Sequence, residues 1–408
     1  MTGHLQGIVN APPFWKNKDE NGAGLFLQLT ALSPKDNSLK KILLIIGSRP
    51  DVIKMAPLVF ALRAAASHIE SRICDTNQHT GLKEPMLRFF ELQPDYSLGP
   101  FAEANDISSF VSEALRGLET VIADFSPDWV LVHGDTSTAF AGALAAFYAG
   151  VRVGHVEAGL RTPMKRSPFP EEMNRRLIGQ LTDLHFCPTL QTMDNLRKEG
   201  VPDNHLVLCG NTIVDALQWA LAKIDRVHLP EVEAIRQLLS AEGAQNKKKI
   251  LLTLHRRENL DRYLADIGEG IRRIAERIPC SIYFPVHRNP RVVEWAGQFQ
   301  KKLPDLILLP PLPYEAFISL MKACDLILTD SGGIQEEAPT LGKKAILLRE
   351  TTERPEATHS GAVIGVTVDA REIEHLARAF FEKGPFEAAG ENPFGDGHAA
   401  EKIISRLL

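Results

Sequence analysis

The sequence predicts an α/β protein of two doubly wound, Rossmann-like domains facing a central cleft. Three observations carry this. Apolar runs of strand length alternate with helical patterns along most of the chain, as parallel sheets covered by helices require. The alternation completes one series and then starts again. Finally, 408 residues exceed the ~250–300 at which a single core stops growing, whereas two domains of ~100–200 residues accommodate most of them.

Residues 1–38 are rich in Gly, Asn, Pro and Lys apart from an apolar patch at Leu25–Leu29. They are expected to form an appended arm with no assigned function. The first domain, 39–212, opens with Lys41–Gly47, the continuous apolar run of a strand buried on both faces. It breaks at Gly47-Ser48-Arg49-Pro50-Asp51, with a helix carrying Lys54 beyond. Further strands are expected at Ile69–Cys74, Trp129–Val132, Val151–His155, Leu184–Cys187 and Leu206–Cys209. Between Trp129–Val132 and Val151–His155, a break at Gly134 leads into a small-residue helix from about Ala139 to Tyr148, which Gly150 can end in a left-handed cap. This is a βαβ unit, so its strands are parallel and end on one edge. Asp135 and Glu157 lie just past those ends, where open α/β sheets bind ligands. Glu171 arrives on the next helix, with Pro170 at the first helical position.

The second domain, 213–390, repeats the pattern with strands at Ile250–Leu254, Ile282–Val286, Leu306–Leu309, Leu326–Thr329, Ala345–Leu348 and Val363–Val366. The boundary is expected near Thr212–Leu229, and the Lys247–Lys249 run is read as a solvated loop. Residues 391–408 read as a turn and a last amphipathic helix, with the option of packing back on the first domain.

Composition narrows the class. With 44% hydrophobic and 24% charged residues the chain reads as an ordinary soluble globular protein, and a formal net charge of −5 argues against general nucleic-acid affinity. No apolar run approaches the ~20 residues of a membrane span, and the start lacks a basic segment followed by an apolar core. The expected location is the cytoplasm. Cys74, Cys187, Cys209, Cys280 and Cys324 stand singly in or beside apolar runs and read as buried reduced thiols. The histidines show no metal-ligand spacing, so no metal is expected.

The strongest motif of the second domain is Leu326-Ile327-Leu328-Thr329-Asp330-Ser331-Gly332-Gly333-Ile334-Gln335-Glu336-Glu337. A strand delivers Ser331, Gly332 and Gly333 directly to a helix start, where free N–H groups and the helix dipole suit a phosphate. The bland reading is a tight strand-to-helix turn. Glu337, one turn inside, can accept hydrogen bonds from a ribose. Basic turns around His255 and around Arg354 follow other strands of this domain, and with Arg49 and Lys54 they can neutralise a diphosphate. Phe317 is a candidate for stacking on a base, against the commoner reading of an aromatic as core. Asp135, Glu157 and Glu171 stand opposite these cations as an acid/base cluster. Their innocent readings are a helix cap for Asp135 and an i, i+4 partner of Arg175 for Glu171.

At this point the residues resemble a known family. GSRPDVIKMAPL, HGDTSTAFAGALAAFYAGVRVGHVEAGLRT, SPFPEEMNRRL, GNTIVDAL, LLTLHRREN, LTDSGGIQEEAPTLGK and TTERPEA, in this order and spacing, resemble the non-hydrolysing UDP-N-acetylglucosamine 2-epimerases over about nine-tenths of the chain. The resemblance implies a GT-B-type two-domain fold with no metal or redox cofactor, and interconversion of UDP-GlcNAc and UDP-ManNAc. It also implies a homodimer supplying sugar nucleotide for cell-envelope polysaccharide. By the same resemblance Asp135, Glu157, Glu171 and His255 fall on catalytic positions, while Arg49, Lys54, Arg175, Phe317, Ser331, Gly332, Gly333, Glu337 and Arg354 fall on substrate-binding ones.

The chemistry explains the mixture of charges. The hydrogen at C2 of the sugar has no adjacent carbonyl, so simple proton removal and return is not open to a side-chain base. Loss of UDP from C1 with deprotonation of C2 gives 2-acetamidoglucal, and re-addition with protonation on the other face inverts C2. Carboxylates stabilise the positive sugar, and cations with helix N–H groups stabilise the departing diphosphate. Two segments depart from the family pattern. Members often carry Gly-Gln-His-Arg-Glu-Met after the second strand, linked to activation by a second UDP-GlcNAc, where this chain has Thr76-Asn77-Gln78-His79-Thr80-Gly81-Leu82-Lys83. Thr162–Ser167, between the two glutamates, also differs. The rival functions are a GT-B glycosyltransferase, a hydrolysing epimerase releasing ManNAc and UDP, and a catalytically silent UDP-sugar binder.

Overall fold

The computed structural model describes residues 39–78, 81, 83–99, 106–240, 247–383 and 392–408. The arm expected at 1–38 lies outside them, as do His79, Thr80 and Leu82 of the departing segment. The chain divides into two compact units. One runs to Gly159 and takes in Pro163–Thr212 and His398–Leu408; the other comprises Leu160–Thr162 and Ile213–Gly397.

In the first unit β1 (Lys40–Ile46), β2 (Ile69–Asp75), β3 (Tyr96–Ser97), β4 (Trp129–His133), β5 (Arg152–Val156), β6 (Leu184–Cys187) and β7 (Leu206–Leu208) form one sheet in the order β3-β2-β1-β4-β5-β6-β7. Every ladder is parallel. Strand order reverses between β1 and β4, which makes the carboxyl ends of these two strands the topological switch point. Leu43, Leu44, Val130 and Leu131 are fully buried, as expected of central strands covered on both faces. The helix Ser137–Tyr148 lies unusually close to them. A Cβ on its Gly142 would stand 2.7 Å from Ile45 Cδ1 and 3.0 Å from Val132 Cγ1, so the alanine and glycine content of this helix sets its distance from the sheet.

The structure moves several expected boundaries. β3 has too few residues to show a period-two pattern in the sequence. The small-residue helix starts at Ser137 rather than Ala139, because Thr136 caps it by accepting from Ala139 N at 3.1 Å. Pro170 stands outside the helix Glu171–Leu181, as its N-cap. The last helix, Ala399–Leu407, packs within the first unit on the helix Arg49–Ala64. There Lys40 Nζ donates to the carbonyls of Leu407 (3.0 Å) and Leu408 (2.9 Å), satisfying acceptors that a helix end leaves open.

In the second unit β8 (Lys248–Thr253), β9 (Cys280–Pro285), β10 (Leu306–Leu309), β11 (Leu326–Thr329), β12 (Lys344–Leu347) and β13 (Val363–Val366) are ordered β10-β9-β8-β11-β12-β13, again all parallel. Its switch point lies between β8 and β11. Lys248 and Lys249 belong to β8 rather than to a loop, and Lys249 N donates to Asp325 Oδ2 at 2.8 Å. The region expected as a domain boundary is a continuous helix, Thr212–Arg226, and the two units part at its first residue. All five cysteines are buried and unbridged.

Candidate active site

The first unit's switch point is built from the turns that follow β1, β4 and β5. After β1, Ser48 caps the helix Arg49–Ala64 in a capping box with Asp51. Asp51 Oδ2 accepts from the N–H groups of Gly47 (3.2 Å) and Ser48 (2.9 Å). After β4, Gly134 adopts a φ of +63°, open to glycine without steric cost. This turn is pinned to β5 from both sides, since Gly134 N donates to Val156 O at 2.9 Å and His155 Nε2 donates to Gly134 O at 2.7 Å. Asn174 Nδ2 reaches back to the Asp135 carbonyl (2.9 Å) and Arg175 Nη2 to Asp135 Oδ2 (2.6 Å). After β5, Glu157 has a φ of +63°. A non-glycine residue in this region carries about 1–3 kcal/mol of backbone strain, a feature that clusters at functional sites.

The side chains converge. Glu157 Oε2 accepts from Asn211 Nδ2 at 3.0 Å and is ion-paired with Lys54 Nζ. His133 lies between Asp51 and Glu157, its Nδ1 3.0 Å from Asp51 Oδ1 and its Nε2 3.6 Å from Glu157 Oε2. Burial pulls the His133 pKa down, but the hydrogen bond to Asp51 and the negative charges of Glu157 and Asp51 outweigh it, so that it is pushed up to about 9. The Asp135 pKa is also raised. Burial is the main cause, reinforced by the Glu157 and Glu171 carboxylates and opposed by Arg175. Asp135 thus lies within electrostatic reach of both other acids. Glu171 opens its helix, and its Oε2 is buried with no hydrogen-bond partner.

Neither innocent reading of these acids survives. Thr136, not Asp135, caps the helix. Arg175 meets Glu171 only at the backbone carbonyl (3.4 Å) and gives its guanidinium to Asp135. The pair of cations expected at the end of β1 is split, with Arg49 exposed and Lys54 buried against Glu157.

In the second unit His255 follows β8 and Asp330 follows β11, on either side of the switch point. The buried Asp330 carboxylate accepts from His255 N (2.9 Å), Arg256 N (2.9 Å) and Asn259 Nδ2 (3.2 Å), and lies 2.7 Å from His255 Nδ1. Burial would raise its pKa, but these donors hold it below the usual carboxylate range. His255 is 38% exposed, and with Nδ1 engaged its chemistry falls to Nε2. Ser331 precedes the helix Gly332–Thr340. Gly332 admits no side chain, because a Cβ would stand 2.8 Å from Arg354 Nη1 and 3.1 Å from Glu353 Oε1, whereas Gly333 is exposed, with only Ser331 Oγ nearby at 3.9 Å. Arg354 therefore lies against the helix start, held by Glu336 (2.5 Å) and Glu353 (2.6 Å). Glu353 is brought down to about 2, burial opposing and Arg354 and Arg349 prevailing. Glu337 is buried and accepts from Tyr314 OH at 3.4 Å. Phe317, on the helix Tyr314–Ala323, is half-buried.

The structure thus brings Asp135, Glu157, Glu171, Lys54 and Arg175 together in the first unit, and gathers Gly332 and Arg354 at one helix start in the second. Among the described residues, Arg49 and Phe317 add no hydrogen bond or ion pair to either group. Sequence reasoning passed over Asp51, His133, Asn211 and Asp330 as site residues. Asp51 was legible as the fourth residue of a Ser48-x-x-Asp51 cap, and His133 as a polar residue ending an apolar strand. Among the described residues no group of three or more His, Cys, Asp or Glu is arranged to hold a metal ion, and no helix is long and apolar enough to cross a membrane.

A family model described as UDP-N-acetylglucosamine 2-epimerase matches residues 61–408. The UDP-N-acetylglucosamine 2-epimerase of Yersinia pestis is 42% identical over 371 residues, covering 90% of this chain and 98% of the relative. That of Escherichia coli K12 is 42% identical over 374 residues, with the same shares of 90% and 98%. The crystal structure of UDP-GlcNAc 2-epimerase from Neisseria meningitidis bound to UDP-GlcNAc superposes with a TM-score of 0.81 at 39% identity, covering 90% of this chain and 99% of that one. The two-domain α/β fold of GT-B type is therefore shared. With the matched segment spanning both units, the chain belongs to the UDP-N-acetylglucosamine 2-epimerase family.

Proposed function

We propose that this protein interconverts UDP-GlcNAc and UDP-ManNAc without net hydrolysis, by eliminating UDP to leave 2-acetamidoglucal and adding it back. The observation that carries this reading is that Asp135 lies within electrostatic reach of both Glu157 and Glu171 in a chain of this family. A carboxylate takes the proton from C2, the C1–O bond breaks with its electron pair leaving on UDP, and a C1=C2 double bond forms. In the return step UDP attacks C1 while a second acid delivers a proton to the opposite face of C2. Lys54 and His133 favour the charged form of Glu157, as opposite charges at this range do. In the second unit the start of the helix Gly332–Thr340, with Arg354 and His255, supplies the positive ends that a departing diphosphate needs, and Glu337 and Phe317 are assigned to the nucleoside. Arg49 and Arg175 complete the proposed substrate contacts. The reading takes the enzyme to be a cytoplasmic homodimer.

Incubation with UDP-GlcNAc in heavy water, followed by NMR, tests this. The expected product is UDP-ManNAc carrying deuterium at C2 with no free sugar, and Asp135→Asn should slow its appearance by ~10²–10⁴-fold, the range of lost acid/base catalysis. An unlabelled epimer would overturn the elimination route. Free ManNAc with UDP would identify a hydrolysing enzyme, consumption only on addition of an acceptor a glycosyltransferase, and binding without exchange a silent binder.

A further inference from the structure

His133 takes no step in the reaction just proposed, yet it is 4% exposed and stands between two of the site's carboxylates. Both ring nitrogens face an oxygen, Nδ1 that of Asp51 and Nε2 that of Glu157. Only an imidazolium offers an N–H to each; either neutral tautomer would turn a lone pair toward a carboxylate. Asp51 cannot swing away, because its other oxygen serves the backbone N–H groups of Gly47 and Ser48. Nor is Glu157 free to move, since its backbone sits in the left-handed region and its Oε2 accepts from Asn211 and Lys54. The charged groups around the ring are Asp51 and Lys54 on the helix Arg49–Ala64, Asp135 past β4 and Glu157 past β5. With Lys54 on Glu157 and Arg175 on Asp135, two cations stand against these three carboxylates, and a charged His133 ring supplies the third.

We propose that His133 is a positioning residue of the epimerase site, a lasting imidazolium anchored on Asp51 that orients Glu157 and keeps it a carboxylate. The assignment of Glu157 to catalysis rests on the function proposed above, whereas the ring's charge and its hold on Glu157 do not. A merely space-filling His133 would be neutral, and its replacement would lower stability without changing the ionisation of Glu157.

The full-length protein with ¹⁵N-labelled histidine and ¹³C-labelled glutamate carboxyls separates these cases. The ring nitrogens of His133 are expected to read as imidazolium through pH 8, and His133→Gln to move the Glu157 carboxyl titration upward by roughly one pH unit, the scale of a lost neighbouring charge. Catalytically, His133→Gln should lower kcat by ~10–10²-fold, as a misplaced catalytic group does, with KM changed by less than about threefold and the acid limb of the kcat profile shifted upward. Asp51→Asn keeps an oxygen for the helix cap but removes the His133 acceptor. It should act in the same direction, and the double variant should be little worse than either single one. Should His133→Gln fail to fold, Asp51→Asn and the wild-type ring shifts decide. A neutral ring at pH 7, or an unmoved Glu157 titration, would overturn the proposal. A wild-type protein that leaves UDP-GlcNAc unchanged would overturn the function instead, and the two titrations would still be readable.

Discussion

Asp51, His133 and Glu157 come from three separate stretches of chain, and none of them signals its role alone. Asp51 reads as a cap, His133 as the tail of a strand, and Glu157 as one of many acids. What joins them is an electrostatic balance with a measurable pH signature. His133 is raised from the usual 6.5 to about 9, so the folded form binds the proton more tightly than the unfolded one. The stability from this contact is therefore fully present below pH 6.5 and is lost as pH rises through about 9. The shift corresponds to on the order of a few kcal/mol. Urea unfolding between pH 6 and 10 should show that decline in the wild type and a flatter profile in His133→Gln. Asp135 and Glu157 were legible because they follow apolar strands; their anchoring was not, because it depends on pairings between residues distant in sequence.

In two helices a glycine fixes how closely the helix approaches its neighbours. Gly142 brings the helix Ser137–Tyr148 onto β1 and β4, and Gly332 lets the guanidinium of Arg354 lie against the helix start. Gly332→Val should push that guanidinium away and crowd the helix start. UDP affinity by titration calorimetry is expected to fall at least ~10-fold, equivalent to ~1.4 kcal/mol, with little change in the urea midpoint. The Ser331-Gly332-Gly333 turn was readable because a strand runs straight into a helix there. The start at Ser137 was less so, since the run Asp135-Thr136-Ser137-Thr138 offers several capping side chains and only the structure shows that Thr136 takes the place. β3 escaped notice because its residues pair with β2 without any alternation of their own.

On the scale of the whole molecule, the same strand order appears in both units, and each switch point carries a histidine held by a buried aspartate: His133 with Asp51, His255 with Asp330. The chain finishes in the unit where it began. Ala399, Ala400, Ile403, Ile404 and Leu407 are buried, and their helix rests on Arg49–Ala64, the helix that bears Asp51 and Lys54. Ile404→Ala should cost ~2–5 kcal/mol, the range for a buried isoleucine cut to alanine. Hydrogen exchange should quicken in Arg49–Ala64 and leave β8–β13 unaffected.

The sequence by itself determined the fold class, the doubled series of strands, the strand-to-helix turn at Ser331 and the acids beyond β4 and β5. Each of these is encoded locally, in apolar runs, glycine turns and strand-to-helix junctions. Only the tertiary structure decided that Lys54 faces Glu157 rather than an open turn, that Arg175 serves Asp135, and that His133 and Asp330 order the groups beside them. Those outcomes depend on which distant side chains share a buried space. There the desolvation of a charge must be offset by a specific partner, and no local pattern names that partner.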